Sequence, residues 1–239
     1  MRFATTPLIA LILASLAGVV RSGGTRGNYD VRLLGLPVGK MQFASRNDDR
    51  AYAFTGAFNT RGVGRIVDAG FRLSAQGRLS KGRLRPTTND EQIDTGSRRS
   101  TVQMRYSGSI PRITSGSVVA EVADDPNALN PAAQGGTVDP LTALWGVLRD
   151  RPDAGLCQYD VAIFDGQRQS RLAMTARNEA GGRVTCTGAY TRLKGFSASE
   201  LKRQTVYPFT VTYAPSGALM QAQSLSVRST YGTAEMTRD

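Results

Sequence analysis

The residues of this chain that could do chemistry are few and far apart. Histidine is absent, which excludes Ser-His and Cys-His catalysis and removes the commonest zinc ligand. Ser199 and Lys202 form a Ser-x-x-Lys pattern, in which one helical turn brings an amine beside a hydroxyl, as in serine acyl-enzymes. No Ser-Asp-Asn or Lys-Thr-Gly element accompanies it, so it reads as a capped helical turn. Asp124, Asp125 and Asp160 are of the type a paired-carboxylate hydrolase uses, but nothing in the sequence brings them together. With Asn127, the first two lack the loop spacing of an EF-hand and read as a polar turn. No catalytic residue, metal site, nucleotide-binding loop or cofactor is assigned.

Cys157 and Cys186 are the two cysteines, and an oxidising compartment would pair them. A simple meander of 157–164, 168–177 and 183–191 would place them two strands apart. That is roughly 9–10 Å at the usual strand spacing, beyond the roughly 7 Å reach of a disulfide. A bond therefore requires either that Cys157 precede the paired region or that the third strand fold across.

The compartment follows from the N-terminus. Arg2 precedes an apolar run over 8–20, and Val20 and Ser22 fit a signal-peptidase site. Residues 1–22 read as a signal peptide and residues 23–239 as one periplasmic, β-rich domain. No other segment reads as transmembrane. The formal charge of +11 falls to +9 without Arg2 and Arg21, and lysine occurs only at Lys40, Lys81, Lys194 and Lys202. The scattered arginines suit solvated strand faces, and no nucleic-acid-reading motif appears.

Period-two alternation predicts the strands that would carry any site. Tyr52, Phe54 and Phe58 share a face, as do Val67, Ala69, Phe71, Leu73 and Ala75. Val102, Met104 and Tyr106 form another set, and Tyr207, Phe209, Val211 and Tyr213 a fourth. Asp165-Gly166 suits a two-residue type I′ hairpin, which would set Tyr159 opposite Leu172 and Cys157 opposite Met174. Asp139 as N-cap and Pro140 at the first position predict a helix carrying Leu141, Leu144, Trp145 and Leu148, with Arg149 and Arg151 at its C-terminal end. A shorter helix is expected over 198–203, and an exposed loop over 124–138.

The resulting fold class is mainly β: a single curved antiparallel sheet, or barrel-like domain, with one main helix packed against it. Such a sheet curls and leaves a cavity at its mouth. Phe54, Phe71, Tyr106, Trp145, Leu148 and Phe209 are the expected ligand-lining residues, with rim arginines meeting a charged head group. Complete filling by side chains is the alternative.

The chain resembles the exported bacterial domain-of-unknown-function family 3108. The resemblance is carried by Tyr29-Asp30-Val31, Gly35, Val38-Gly39, Gly77, Leu84 and Pro86. It continues through Asp139-Pro140-Leu141-Thr142-Ala143-Leu144, Cys157, Phe164-Asp165-Gly166-Gln167-Arg168, Cys186 and Pro208. It implies export and a curved or barrel-like antiparallel sheet, and no particular activity. The leading functional expectation is a non-enzymatic binding or envelope-assembly protein for a lipid or other apolar ligand. The alternatives are an arginine-rich module docking on an anionic envelope component and an envelope-polymer hydrolase.

Overall fold

The computed structural model describes residues 23–48, 50–60, 69–80, 82–94 and 99–239. The signal peptide expected over 1–22 lies outside these residues, as do Val67 and Lys81. Thirteen strands form one antiparallel sheet. The first seven are β1 (Arg26–Leu33), β2 (Leu36–Asn47), β3 (Ala51–Thr60), β4 (Gly70–Ser80), β5 (Arg83–Asp94), β6 (Arg99–Ser107) and β7 (Ile110–Ser115). After the helical segment come β8 (Asp160–Phe164), β9 (Gln169–Ala180), β10 (Arg183–Lys194), β11 (Val206–Ser216), β12 (Leu219–Ser229) and β13 (Gly232–Arg238). The spatial order runs from β7 down to β1, then from β13 down to β8. The chain thus builds two meanders joined edge to edge where β1 pairs with β13.

Alternating burial marks the inward face, as in β3, where buried Tyr52, Phe54 and Gly56 alternate with the more exposed Ala51, Ala53, Thr55 and Ala57. Inward glycines sit opposite inward rings. Tyr52 pairs in register with Gly77, Phe43 with Gly27 and Phe209 with Gly188. A Cβ on Gly77 would lie 2.4 Å from both the Tyr52 hydroxyl and the Arg85 carbonyl. The missing side chains leave room for the rings and let a long sheet bend sharply.

The sheet does not close into a barrel, because edge strands β7 and β8 do not pair. Residues 116–139 fill the seam between them with α1 (Val118–Asp124), a 3-10 turn at Pro131–Ala133 and extended chain. Gly136 N donates to Ser109 O at 2.9 Å, Val138 N to Ala162 O at 2.9 Å, and Phe164 N to Val138 O at 2.9 Å. Val102, Met104, Val118 and Phe164 make a small core that spans the seam. The β8 edge is thereby paired through Val138, and the end of β6–β7 is tied to the seam through Ser109, which shortens the exposed backbone ladder of an open sheet.

Helix α2 (Pro140–Leu148) lies inside the sheet. The Asp139 carboxylate accepts the Thr142 N–H at 2.8 Å, and Pro140 opens the helix, as expected from the sequence. Only Pro140 and Leu144 are not fully buried. Tyr52 stacks on Trp145 with centroids 4.5 Å apart. Tyr159 donates to Ala143 O at 3.1 Å, and Tyr213 to Val147 O at 2.6 Å. Gly146 permits the Tyr159 approach, since a Cβ there would meet its hydroxyl at 2.1 Å.

Four sequence expectations are refined. The helix is enclosed rather than laid on one sheet face, because seam and sheet both cover it. The stretch expected as an exposed loop contains the 3-10 turn and ends in buried Thr137 and Val138, and α1 before it was not anticipated. The hairpin after β8 is a four-residue loop, with Phe164 opposite Gln169 rather than Gln167. The Asp165 carboxylate holds it by accepting the N–H groups of Gln167 at 2.9 Å and Arg168 at 2.7 Å. This two-residue offset preserves the inward face but sets Val161, not Tyr159, opposite Leu172. Finally, Cys157 precedes β8, and that position resolves the geometric conflict: Cys157 and Cys186 are bonded, with Cα atoms 5.3 Å apart.

Trp145 has no exposed surface and belongs to the main core. Trp145→Ala should therefore destabilise the protein by about 3–5 kcal/mol, as large aromatic truncations in cores do. Chemical denaturation measures this, and an unchanged midpoint would mean that the helix does not fill the interior.

Candidate functional site

Solvent reaches only part of the sheet interior. Where α2 lies, the inward residues Tyr29, Phe43, Phe54, Val211, Tyr213 and Ala222 are at most 5% exposed. Val31, Phe58, Phe71, Leu73, Val227 and Met236 also pack against this core, yet remain partly exposed. Phe58 and Phe71 pair in register and stack with centroids 5.3 Å apart. Several of the six partly exposed residues lie toward the ends of their strands, as Phe58, Phe71 and Val227 do, where the interior meets solvent. These six side chains form a partly exposed apolar patch, here termed the mouth, beside the buried core around α2.

The six residues expected to line a cavity divide accordingly. Phe71 is at the mouth. Trp145, Leu148 and Phe54 have at most 1% exposure and form the sealed floor, with Phe209 at 5% beside them. Tyr106 belongs to the seam core. Helix α2 separates residues that the sequence suggested would share one surface.

A polar cluster lies in the wall at the start of α2. The Asn89 amide donates to Glu91 Oε1 at 3.0 Å. Thr142 donates to Asp139 Oδ2 at 2.7 Å, and the Tyr52 hydroxyl lies 3.0 Å from Thr142 Oγ1. Glu91 points inward in register with Leu73 of the mouth and with Val102 of the seam core. Burial pushes its carboxyl up to about 8, and Asp139 and Asp165 push it the same way. Burial also raises Asp139 and Asp165. At neutral pH Glu91 is thus largely a neutral acid, able to donate a hydrogen bond from an apolar wall. The sequence reading assigned no strand over 83–94, where a bulge in β5 between Pro86 and Thr88 breaks the alternation that carries Asn89 and Glu91 inward. An alternation test that allowed a one-residue slip after Pro86 would have found them.

The other sequence candidates do not converge. Asp125 pairs with Arg168 at 3.0 Å, whereas Asp160 pairs with Arg171. The Ser199 hydroxyl contacts Ser197 Oγ at 3.1 Å, and Ser197 caps α3 (Ala198–Arg203) in a capping box with Glu200. Among the described residues no group of three or more acidic or cysteine side chains could hold a metal ion. No helix of the described residues is long and apolar enough to cross a membrane.

The Glu91 environment has a measurable consequence. Its folded-state value is raised, so the native protein holds a proton that the unfolded chain releases. The associated stability is fully present below the ordinary value of 4.5 and is lost as pH rises through about 8. Holding the proton tenfold more tightly in the folded state than in the unfolded chain is worth about 1.4 kcal/mol. Denaturation midpoints should fall between about pH 5 and about pH 9, with a shallower fall in Glu91→Gln. A wild-type midpoint that holds or rises over this range would contradict the assignment.

No curated protein matches this sequence. The chain is similar to the crystal structure of a β-barrel-like protein of domain of unknown function DUF1849 from Brucella abortus, at 12% identity and a TM-score of 0.49, over 90% of this chain and 94% of that one. Residues 28–186 match the model of the family described as protein of unknown function, DUF3108, a span that contains Asp139, the whole of α2 and both cysteines, and the chain belongs to that family.

Proposed function

We propose that this protein is an exported, non-enzymatic binding protein of the bacterial envelope that takes an apolar or amphiphilic chain into the open half of its sheet. One observation carries the reading: Val31, Phe58, Phe71, Leu73, Val227 and Met236 point inward and are partly exposed above a floor that is fully sealed. Concave apolar surface with few polar groups is the usual character of small-molecule sites. Glu91 offers one polar contact in the wall, suited as a neutral acid to a carbonyl or other acceptor on the ligand. Export is supported by the order of charge, apolar run and small residues over 1–22. The Cys157–Cys186 bond supports an oxidising compartment.

Three measurements test the reading. A fluorescent fatty-acid probe should bind saturably, and Phe71→Asp should weaken binding about tenfold or more, a change of about 1.4 kcal/mol, while the fold persists. Absence of saturable binding, together with no lipid retained by protein purified from the periplasm, would overturn the carrier reading. N-terminal sequencing of the mature protein should begin near Gly23, and an intact Met1 would overturn export with cleavage.

A further inference from the structure

Helix α2 runs into two arginines that have no acidic partner among the described residues. Arg151 is 7% exposed. Its Nη2 donates to Leu156 O and to the Tyr213 hydroxyl, the latter at 3.4 Å. Its guanidinium carbon lies 5.9 Å from the Tyr159 ring centroid and 5.8 Å from that of Tyr213. Its Nε is buried without an acceptor. The Arg149 guanidinium lies 5.2 Å from the centroid of the Trp145 ring, and its Nε is likewise buried without an acceptor. Burial and repulsion from Arg151 hold the Arg149 guanidinium below its usual range.

Nearby groups offset this charge only in part. The Asp150 Oδ2 accepts from Gln221 at 3.5 Å, and its Oδ1 is buried without a donor. Arg238 donates to the Tyr29 hydroxyl at 3.1 Å, and both Arg238 and Asp150 act on that tyrosine. Arg149, Arg151 and Asp150 alone give a local formal charge of +1. The partial negative charge of a helix C-terminus offsets only a fraction of this. A desolvated guanidinium with unfilled donors is costly, and paired arginines with free N–H groups are the usual holders of phosphate and carboxylate.

We propose that Arg149 and Arg151 form an anion-binding site at the C-terminal end of α2, suited to a phosphate or carboxylate group. The site is separate from the apolar mouth and does not depend on the carrier reading. The same chemistry serves a soluble anion or the phosphate of a lipid headgroup.

Trp145 is the sole tryptophan of the chain, and Arg149 lies over its ring, so its emission reports on the site. The mature protein is titrated with inorganic phosphate at constant ionic strength, with chloride as the reference, by fluorescence and calorimetry. A saturable response specific to phosphate is expected, weakened about tenfold or more in Arg149→Gln. The melting temperature of Arg149→Gln without phosphate should equal or exceed that of the wild type, because an unpaired charge is removed. Arg149-dependent co-sedimentation with phosphatidylglycerol vesicles, but not with phosphatidylcholine vesicles, would identify a lipid phosphate as the ligand. A response to inorganic phosphate alone would identify a soluble anion. The proposal is overturned by no response in either arm, by equal affinity in Arg149→Gln, or by a lower melting temperature of that variant.

Discussion

A helix enclosed by a sheet cannot hand its unpaired backbone ends to water, so the protein must satisfy them itself. That requirement shapes the interior around α2. Asp139, fully buried, accepts the N–H of Thr142 and also takes the Thr142 hydroxyl. At the other end Arg149 N returns to Trp145 O, and the Tyr213 hydroxyl fills Val147 O. The cost is electrostatic. Acidic groups gather at the start of the helix without a cation, and Glu91 and Asp139 respond by favouring their neutral forms. Cations outnumber the one acid, Asp150, at the end, and Arg149 has no comparable escape because a guanidinium keeps its proton. The charges match the helix dipole at both ends, yet each cluster is left with unmet demand.

The connections around the helix follow from where it must enter and leave. Its entry strand bridges in parallel to β8 through Val138 and Ile163, so the seam filler and the helix cap are one continuous segment. Its exit is held by paired backbone bonds between Arg151 and Met220, at 3.1 and 2.7 Å, and then by the Cys157–Cys186 bond into β10. A helix of nine residues is about 14 Å long, too short to line the whole of a sheet with strands of up to 12 residues. Rings opposite glycines, such as Tyr52 over Gly77 and Phe43 over Gly27, tighten the sheet around the part that α2 occupies. The remaining inward face stays partly exposed.

Local rules made much of this legible in the sequence. The alternation of Tyr52, Phe54 and Phe58 and of Phe71, Leu73 and Ala75 identified the inward face, and Asp139-Pro140 marked the start of α2. The two cysteines were readable as a pair. What escaped depends on long-range geometry or on single-residue slips. Nothing in the spacing of Leu141, Leu144, Trp145 and Leu148 says that the opposite helix face, Thr142, Ala143 and Gly146, is buried as well. Small residues there were the available signal, because they allow Tyr159 and Tyr52 to approach. The bulge in β5 hid Glu91, and the Asp165 side chain set a four-residue loop where Asp-Gly alone suggested two. Phe54, Trp145 and Leu148 were assigned to a ligand wall because their burial between α2 and its covering rings is a property of the assembled sheet.

The division of the interior into a sealed floor and an open mouth is tested most directly by acrylamide quenching of tryptophan emission. Trp145 reports on the floor in the native protein. Phe71→Trp, in a Trp145→Phe background that keeps a ring in the core, reports on the mouth. The account predicts strong shielding of Trp145 and ready quenching at position 71. Equal shielding at both positions would contradict it, by showing that the interior is closed throughout.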